Sequence, residues 1–177
     1  GTLNMPSVAE KLGQMAAQAA MVEGLVYGME SGGGYYNGYY VPDRNLMYTA
    51  QVLTQQLYPE FITSMREIAG GGLIMLPSSV KDFENPEIAR YIHATQNSAV
   101  GTSEEKVKFM KLAWDAIGSE FASRHTQYEM FYAGAQFVTR GHALRTYDWN
   151  RSKILVDDIL NSYNLEDMLE EKNIAAE

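Results

Sequence analysis

Apolar positions recur at helical spacing along most of the chain. From Ser7 to Glu30, the residues Val8, Leu12, Met15, Ala19, Val22, Val26 and Met29 alternate in steps of four and three. Such a narrow stripe suits packing against other helices in a bundle. Ser7, with Glu10 three residues on, reads as a capping box, and Gly32-Gly33-Gly34 ends the segment. A second helical segment covers Arg44 to Ala69, with Ala50, Leu53, Leu57, Phe61, Met65 and Ile68 on one face. Pro59 is expected to kink or restart it near Tyr58, because proline lacks an N–H and crowds the preceding turn. Gly70-Gly71-Gly72 stops it. The third segment is the longest and runs from Thr102 or Ser103 to about Ala133, with Glu104 and Glu105 suiting its positive end. Its stripe is Val107, Met110, Trp114, Ile117, Phe121, then Arg124 or His125, then Tyr128 and Tyr132. As one rod it would span roughly 45–50 Å at 1.5 Å per residue. A fourth stretch, Ala135 to Leu160, is expected to restart near Asp148, and an acidic short helix follows from Asn164.

Between these segments the pattern changes. Tyr35-Tyr36-Asn37-Gly38-Tyr39-Tyr40 sets Asn-Gly between two aromatic pairs, a strong hairpin signal because both central residues tolerate positive φ. Leu73-Ile74-Met75-Leu76-Pro77 reads as a short buried extended run. Asn85-Pro86-Glu87 starts a brief helix reaching about Asn97, with proline at its first position. Helical rods with short connectors predict an all-α helix bundle, a single domain over residues 1–177, with a small hairpin or loop near residues 35–40.

Composition narrows the function more than the fold. The net charge of −8 argues against a nucleic-acid partner, which needs clustered Lys and Arg. The absence of cysteine excludes a disulfide framework, a zinc-thiolate site and an iron–sulfur cluster within this chain. No apolar run approaches the roughly 18 residues of a membrane span, and the start lacks a signal-peptide pattern. The chain reads as cytoplasmic and as cut from something larger.

Arg124 and His125 interrupt the apolar stripe of the third segment. Polar groups on a packed face need partners. One reading pairs His125 with Glu129 and Arg124 with Glu120, each four residues apart. The other turns Arg124, Gln127 and Tyr128 toward a polar ligand, since a guanidinium fork holds phosphate or carboxylate bidentately. A di-iron site needs Glu-x-x-His on two helices, and no Glu-x-x-His occurs here. Gly70-Gly71-Gly72 is either a helix cap with a tight turn or a place where backbone closely approaches a ligand. The tyrosines near residue 40 suit an aromatic ligand or a subunit contact equally.

Gly118-Ser119-Glu120-Phe121-Ala122-Ser123-Arg124-His125-Thr126-Gln127-Tyr128-Glu129, followed by Phe131-Tyr132-Ala133-Gly134, closely resembles a signature of the 4-hydroxyphenylacetate 3-monooxygenase oxygenase components. Arg66-Glu67-Ile68-Ala69-Gly70-Gly71-Gly72-Leu73-Ile74 resembles a second block of that family. Tyr147-Asp148-Trp149 with Arg151 is similar to the subgroup of chlorophenol monooxygenases and the pyoverdine-chromophore hydroxylase. The resemblance implies a two-component monooxygenase: a separate reductase supplies reduced FAD, and the oxygenase uses it to hydroxylate a phenol ortho to its hydroxyl. It implies a fold similar to the C-terminal helical domain of acyl-CoA dehydrogenases, assembled as a homotetramer. It implies FAD contacts from Gly70, Gly71, Gly72, Ser123, Arg124, His125, Gln127 and Tyr128. The family's catalytic side chains belong to its N-terminal and middle regions, to which nothing here corresponds. No catalytic residue is therefore expected in this chain, and alone it is expected to be inactive. Two alternatives are a ligand-free assembly domain and part of a protein like the 4-hydroxybutyryl-CoA dehydratases, which share the helical fold.

Overall fold

The computed structural model describes residues 2–163. Among them are seven α-helices and one two-stranded hairpin. The acidic helix expected from Asn164 lies outside the described residues.

Helix α1 spans Pro6–Ser31. It starts one residue before the expected cap. Pro6 takes the first helical position, and Val8 and Ala9 donate their N–H groups to the Met5 carbonyl at 3.0 Å. Ser7 is thus inside the helix and cannot cap it. The chain then turns through a hairpin, β1 (Gly34–Tyr36) and β2 (Tyr39–Val41), antiparallel with Tyr36 opposite Tyr39. Asn37 and Gly38 hold φ of 49° and 83°, the tight turn that Asn-Gly favours. Gly33 is required where the hairpin folds against the helix end: a Cβ there would lie 2.6 Å from the Val41 carbonyl oxygen.

Helix α2 spans Arg44–Ala69, its start capped by the Asp43 carboxylate accepting from the Leu46 N–H at 2.8 Å. Pro59 lies inside it without ending it. Packing explains this, because α2 is the central rod and touches α1, α4, α5 and α6. Across the α1–α2 seam, Gln14 and Gln18 both donate to Glu60 Oε1, at 2.8 and 2.9 Å, and Lys11 pairs with Glu67.

Gly70, at φ 54°, ends α2 and opens a 3₁₀ turn over Gly70–Leu73. The expected buried extended run is not there. Leu73 enters the core, but Ile74 is 81% exposed, because the Ile74 and Met75 N–H groups both fold back onto the Gly71 carbonyl. After a short 3₁₀ segment, α3 (Pro86–Thr95) starts with proline in its first turn and Asn85 as its cap.

The predicted third rod is two helices. Helix α4 covers Ser103–Ile117, opened by a Thr102–Glu105 capping box, and α5 covers Glu120–Phe131. Gly118 ends the first, and the Ser119 hydroxyl restarts the second by accepting from the Ala122 N–H at 3.1 Å. The break shifts the phase of the stripe. Val107 and Ile117 are buried on α4, but Ala122 is the buried residue on α5, while Phe121, Tyr128 and Tyr132 face outward. Gly134, at φ 115°, turns the chain into α6 (Gln136–Thr146), and Asp148 caps α7 (Trp149–Asn161) by accepting from the Arg151 N–H. This restart falls where the sequence placed it.

The main core is Ile62, Leu73 and Ile117 with Tyr58, Met65, Ala69, Met110 and Ala113 around them. It joins α2, the 3₁₀ turn and α4 into the frame that presents α5. No residue of α1 or α7 is fully buried. The sequence stripe on α1 is only half covered, with Leu12 and Val26 exposed.

Candidate functional site

The outward face of α5 carries a stack of rings. Phe121 and His125 lie 6.0 Å apart with planes 12° from parallel. His125 and Tyr128 follow at 6.1 Å and 19°, and Tyr128 and Tyr132 at 5.4 Å and 18°. Steps of three and four residues make this possible, since they place side chains one above another on a helix. His125 is the member that also faces inward. The edge of its ring contact with Tyr58 on α2 has centroids 5.5 Å apart at 78°, and its Nε2 sits 3.3 Å from Glu129 Oε1.

The placement of Arg124 corrects the sequence reading. It is not set into a packed face: its side chain is 80% exposed. The restart at Ser119 turned it outward. Both i,i+4 pairs foreseen as internal ion pairs are present, but Glu120 lies 3.9 Å from Arg124 in full solvent. Such a pair holds a guanidinium weakly. Arg124 therefore has donors available for an anionic group.

Glu120, Phe121, Arg124, His125, Gln127, Tyr128 and Phe131 together line one open face of α5. Ser123 is exposed on the same helix but does not line it. The structure thus brings four of the eight predicted residues, Arg124, His125, Gln127 and Tyr128, onto one surface. Gly70, Gly71 and Gly72 stand apart from that surface, at the C-terminal end of α2. A Cβ at Gly70 or Gly71 would meet nothing, so the backbone there is open to close approach. Gly72 is different, because a Cβ would lie 2.5 Å from the Met110 Cε.

Two side chains that connect these parts were not singled out as site residues from sequence. Arg66 donates from Nε and Nη2 to the Ile117 carbonyl, at 3.1 and 2.6 Å, just before α5 begins. Gln55, 1% exposed, donates to the Gly134 carbonyl at 2.8 Å, just after α5 ends. The available signal was their position: Gln55, Tyr58, Ile62 and Arg66 follow helical spacing, so two polar residues share the face of an apolar stripe.

Burial raises the Tyr58 phenol above its ordinary 10.0, and the Glu129 carboxylate adds to the effect. Tyr58, His125 and Glu129 thus meet between α2 and α5. No group of three or more His, Asp or Glu side chains suited to a metal ion occurs among the described residues. Among the same residues, no helix is long and apolar enough to cross a membrane.

A parallel ring stack beside a weakly paired guanidinium and a side-chain amide matches a ligand with a flat ring and a charged group. The 4-hydroxyphenylacetate 3-monooxygenase oxygenase component of Escherichia coli is 34% identical over 170 residues, which cover 93% of this chain and 33% of that protein. A crystal structure of such an oxygenase component complexed with FAD superposes with a TM-score of 0.84 at 27% identity, over 90% of this chain and 34% of that one. An archaeal 4-hydroxybutyryl-CoA dehydratase from N. maritimus gives 0.81 over 93% of this chain and 33% of that one, but at 20% identity it shares the fold alone. The chain spans about a third of the length of the curated relatives it matches. The family described as 4-hydroxyphenylacetate 3-hydroxylase C terminal matches residues 1–161, and the chain belongs to that family.

Proposed function

We propose that this chain is the C-terminal helical domain of a reduced-FAD-dependent monooxygenase that hydroxylates a phenol ortho to its hydroxyl. In this reading the domain forms one wall of the FAD site and part of the contact between subunits of a homotetramer. A separate flavin reductase delivers the reduced cofactor, and the assembly works in the cytoplasm. The observation that supports it most directly is the open face of α5, with Phe121, His125 and Tyr128 in a parallel stack beside Arg124.

The residues present suit the cofactor. Aromatic faces accept a flat ring system. Arg124 and Gln127 offer donors to a pyrophosphate or ribityl chain. Ser123 adds a hydroxyl on the same helix, and the open backbone at Gly70 and Gly71 admits a close approach. Bound flavin supplies the oxygen chemistry, and this chain supplies placement. His125 is engaged by Glu129 and Tyr58, which suits a wall residue rather than a base acting on substrate. The substrate-facing side chains belong to the remaining two thirds of the full-length enzyme.

The test is anaerobic titration of reduced FAD into the intact protein and its Arg124→Ala variant. Loss of the guanidinium weakens binding roughly tenfold, the weight of one charge-assisted hydrogen bond. Unchanged affinity in a correctly assembled oligomer sinks the cofactor role. It would favour a domain that only assembles subunits.

A further inference from the structure

Helix α5 is fastened to α2 at three points. Just before its start, Arg66 donates two hydrogen bonds to the Ile117 carbonyl. In its middle, the Tyr58 ring meets His125 edge-on. At its end, Gln55 Nε2 donates to the Gly134 carbonyl, and Gln55 Oε1 accepts from the Thr139 hydroxyl at 2.9 Å.

Neither carbonyl has an intrahelical partner: the first ends a helix and the second lies in a corner. Ile117 is the last residue of α4, and the chain breaks immediately after it. Gly134 sits in the α5–α6 corner, with φ far outside the helical range. Side chains of α2 satisfy both. The Gln55 end has little freedom, since Gln55 is 1% exposed and Thr139 0%. Flipping the Gln55 amide would set its oxygen against the Gly134 oxygen, so the network fixes one orientation. The exposed Arg124–Glu120 pair on α5 cannot supply comparable rigidity.

We propose that Arg66 and Gln55 are positioning residues: by pinning to α2 the chain on either side of α5 they hold Phe121, Arg124 and Tyr128 in the geometry that receives the flat, phosphate-bearing cofactor. A surface held in its binding geometry before the ligand arrives loses less entropy on binding. The inference rests on the reading of α5 as a FAD wall.

The experiment uses the intact protein with Arg66→Met, Arg66→Lys and Gln55→Leu, and with Arg124→Ala as the direct-contact control. Two quantities are read: anaerobic affinity for reduced FAD, and amide hydrogen exchange over residues 120–131 without FAD. Arg66→Met and Gln55→Leu each weaken FAD about tenfold and speed exchange in α5, while helix content and oligomer size stay unchanged. Arg66→Lys keeps one donor to Ile117 and recovers most of the affinity, which a general loss of packing would not allow. If Arg124→Ala weakens FAD but Arg66→Met and Gln55→Leu do not, the positioning role is overturned and the wall reading stands. If Arg124→Ala has no effect, the wall reading fails, and the proposed role in cofactor placement is overturned with it.

Discussion

Single side chains in this molecule matter most where they answer backbone groups far away in sequence. Thr139 is the clearest case, fully buried with its hydroxyl directed at Gln55 Oε1. Thr139→Val keeps the volume and removes the donor. It leaves a buried amide oxygen unsatisfied, so the variant should lose about 1–3 kcal/mol of stability. Chemical denaturation of the intact protein checks this, and an unchanged midpoint would mean that water replaces the hydroxyl. Tyr58 yields a pH prediction. Its phenol is raised above 10.0 by burial and by Glu129, so the folded chain holds that proton more tightly than the unfolded chain does. The stability this represents is present below pH 10.0 and is lost as pH rises through the raised folded value. Thermal midpoints at about pH 9 and about pH 11 should fall more steeply for the parent than for Tyr58→Phe. Parallel slopes would show that other groups dominate alkaline unfolding. Neither Thr139 nor Arg66 could be placed from sequence, because the partners are a side chain 84 positions away and a carbonyl 51 positions away. Helical spacing predicts which face a residue occupies, not which distant carbonyl will meet it there.

Helix ends decide how α5 is presented. The caps at Asp43, Asn85, Thr102 and Asp148 are local features, with a short polar side chain before a helical run. The helix starts at Asn85, Thr102 and Asp148 were legible, as were the Asn37-Gly38 hairpin and the limits of α2, whereas the Asp43 cap was not singled out. The α4–α5 break was not, because apolar residues continue at helical spacing straight through Gly118-Ser119. The restart rotated α5 relative to α4 and reversed the reading of its face, so Arg124 came out exposed and Ala122 came in. Ser119→Ala removes the cap of α5 and should cost about 1 kcal/mol, read by denaturation, with exchange quickened across the first turn of the helix. A flat exchange profile over residues 120–123 would assign the break to Gly118 and the Arg66 bridge instead. At the start of α4, Glu104 behaves as a first-turn acid should. Its own backbone N–H, then the Thr102 hydroxyl, hold its carboxyl below the ordinary 4.5 against a small opposing desolvation, with His93 helping. Because the folded value is depressed, the contribution is present above pH 4.5 and is lost as pH falls through the folded value. Glu104→Gln should therefore lower the neutral plateau of the thermal midpoint slightly and flatten its acid limb, the two proteins converging at low pH.

At the scale of the whole molecule, the surface area shows an incomplete enclosure. The chain exposes 13370 Å², where a compact monomer of its size exposes roughly 8,600 Å². Granting the residues outside the described range the full area of an extended chain, roughly 2,400 Å² by the same scaling, still leaves an excess above roughly 2,000 Å². That excess is of the order buried by a subunit or domain contact. Exposed apolar side chains occur on most elements, among them Tyr35, Tyr36 and Tyr39 on the hairpin, Ile154, Leu155, Val156, Ile159 and Leu160 on α7, and Phe121, Tyr128 and Tyr132 of the α5 ring stack. Apolar helix stripes announced burial in the sequence, but nothing in their spacing says whether the covering surface lies in the same chain. For that reason the bundle was legible and the coverage of α1 and α7 was not. If these faces belong to contacts in the intact enzyme, the isolated chain should self-associate and bind an apolar dye, while the intact protein does neither beyond its native oligomer. Sedimentation velocity decides the matter. A monodisperse, dye-silent monomer of residues 1–177 would mean the exposed stripes are tolerated by water. Leu155→Glu with Ile159→Glu then separates the faces: in the intact protein this pair should lower the oligomeric state or the thermal midpoint if α7 is covered, and change neither if the contact runs through α5 and the hairpin alone.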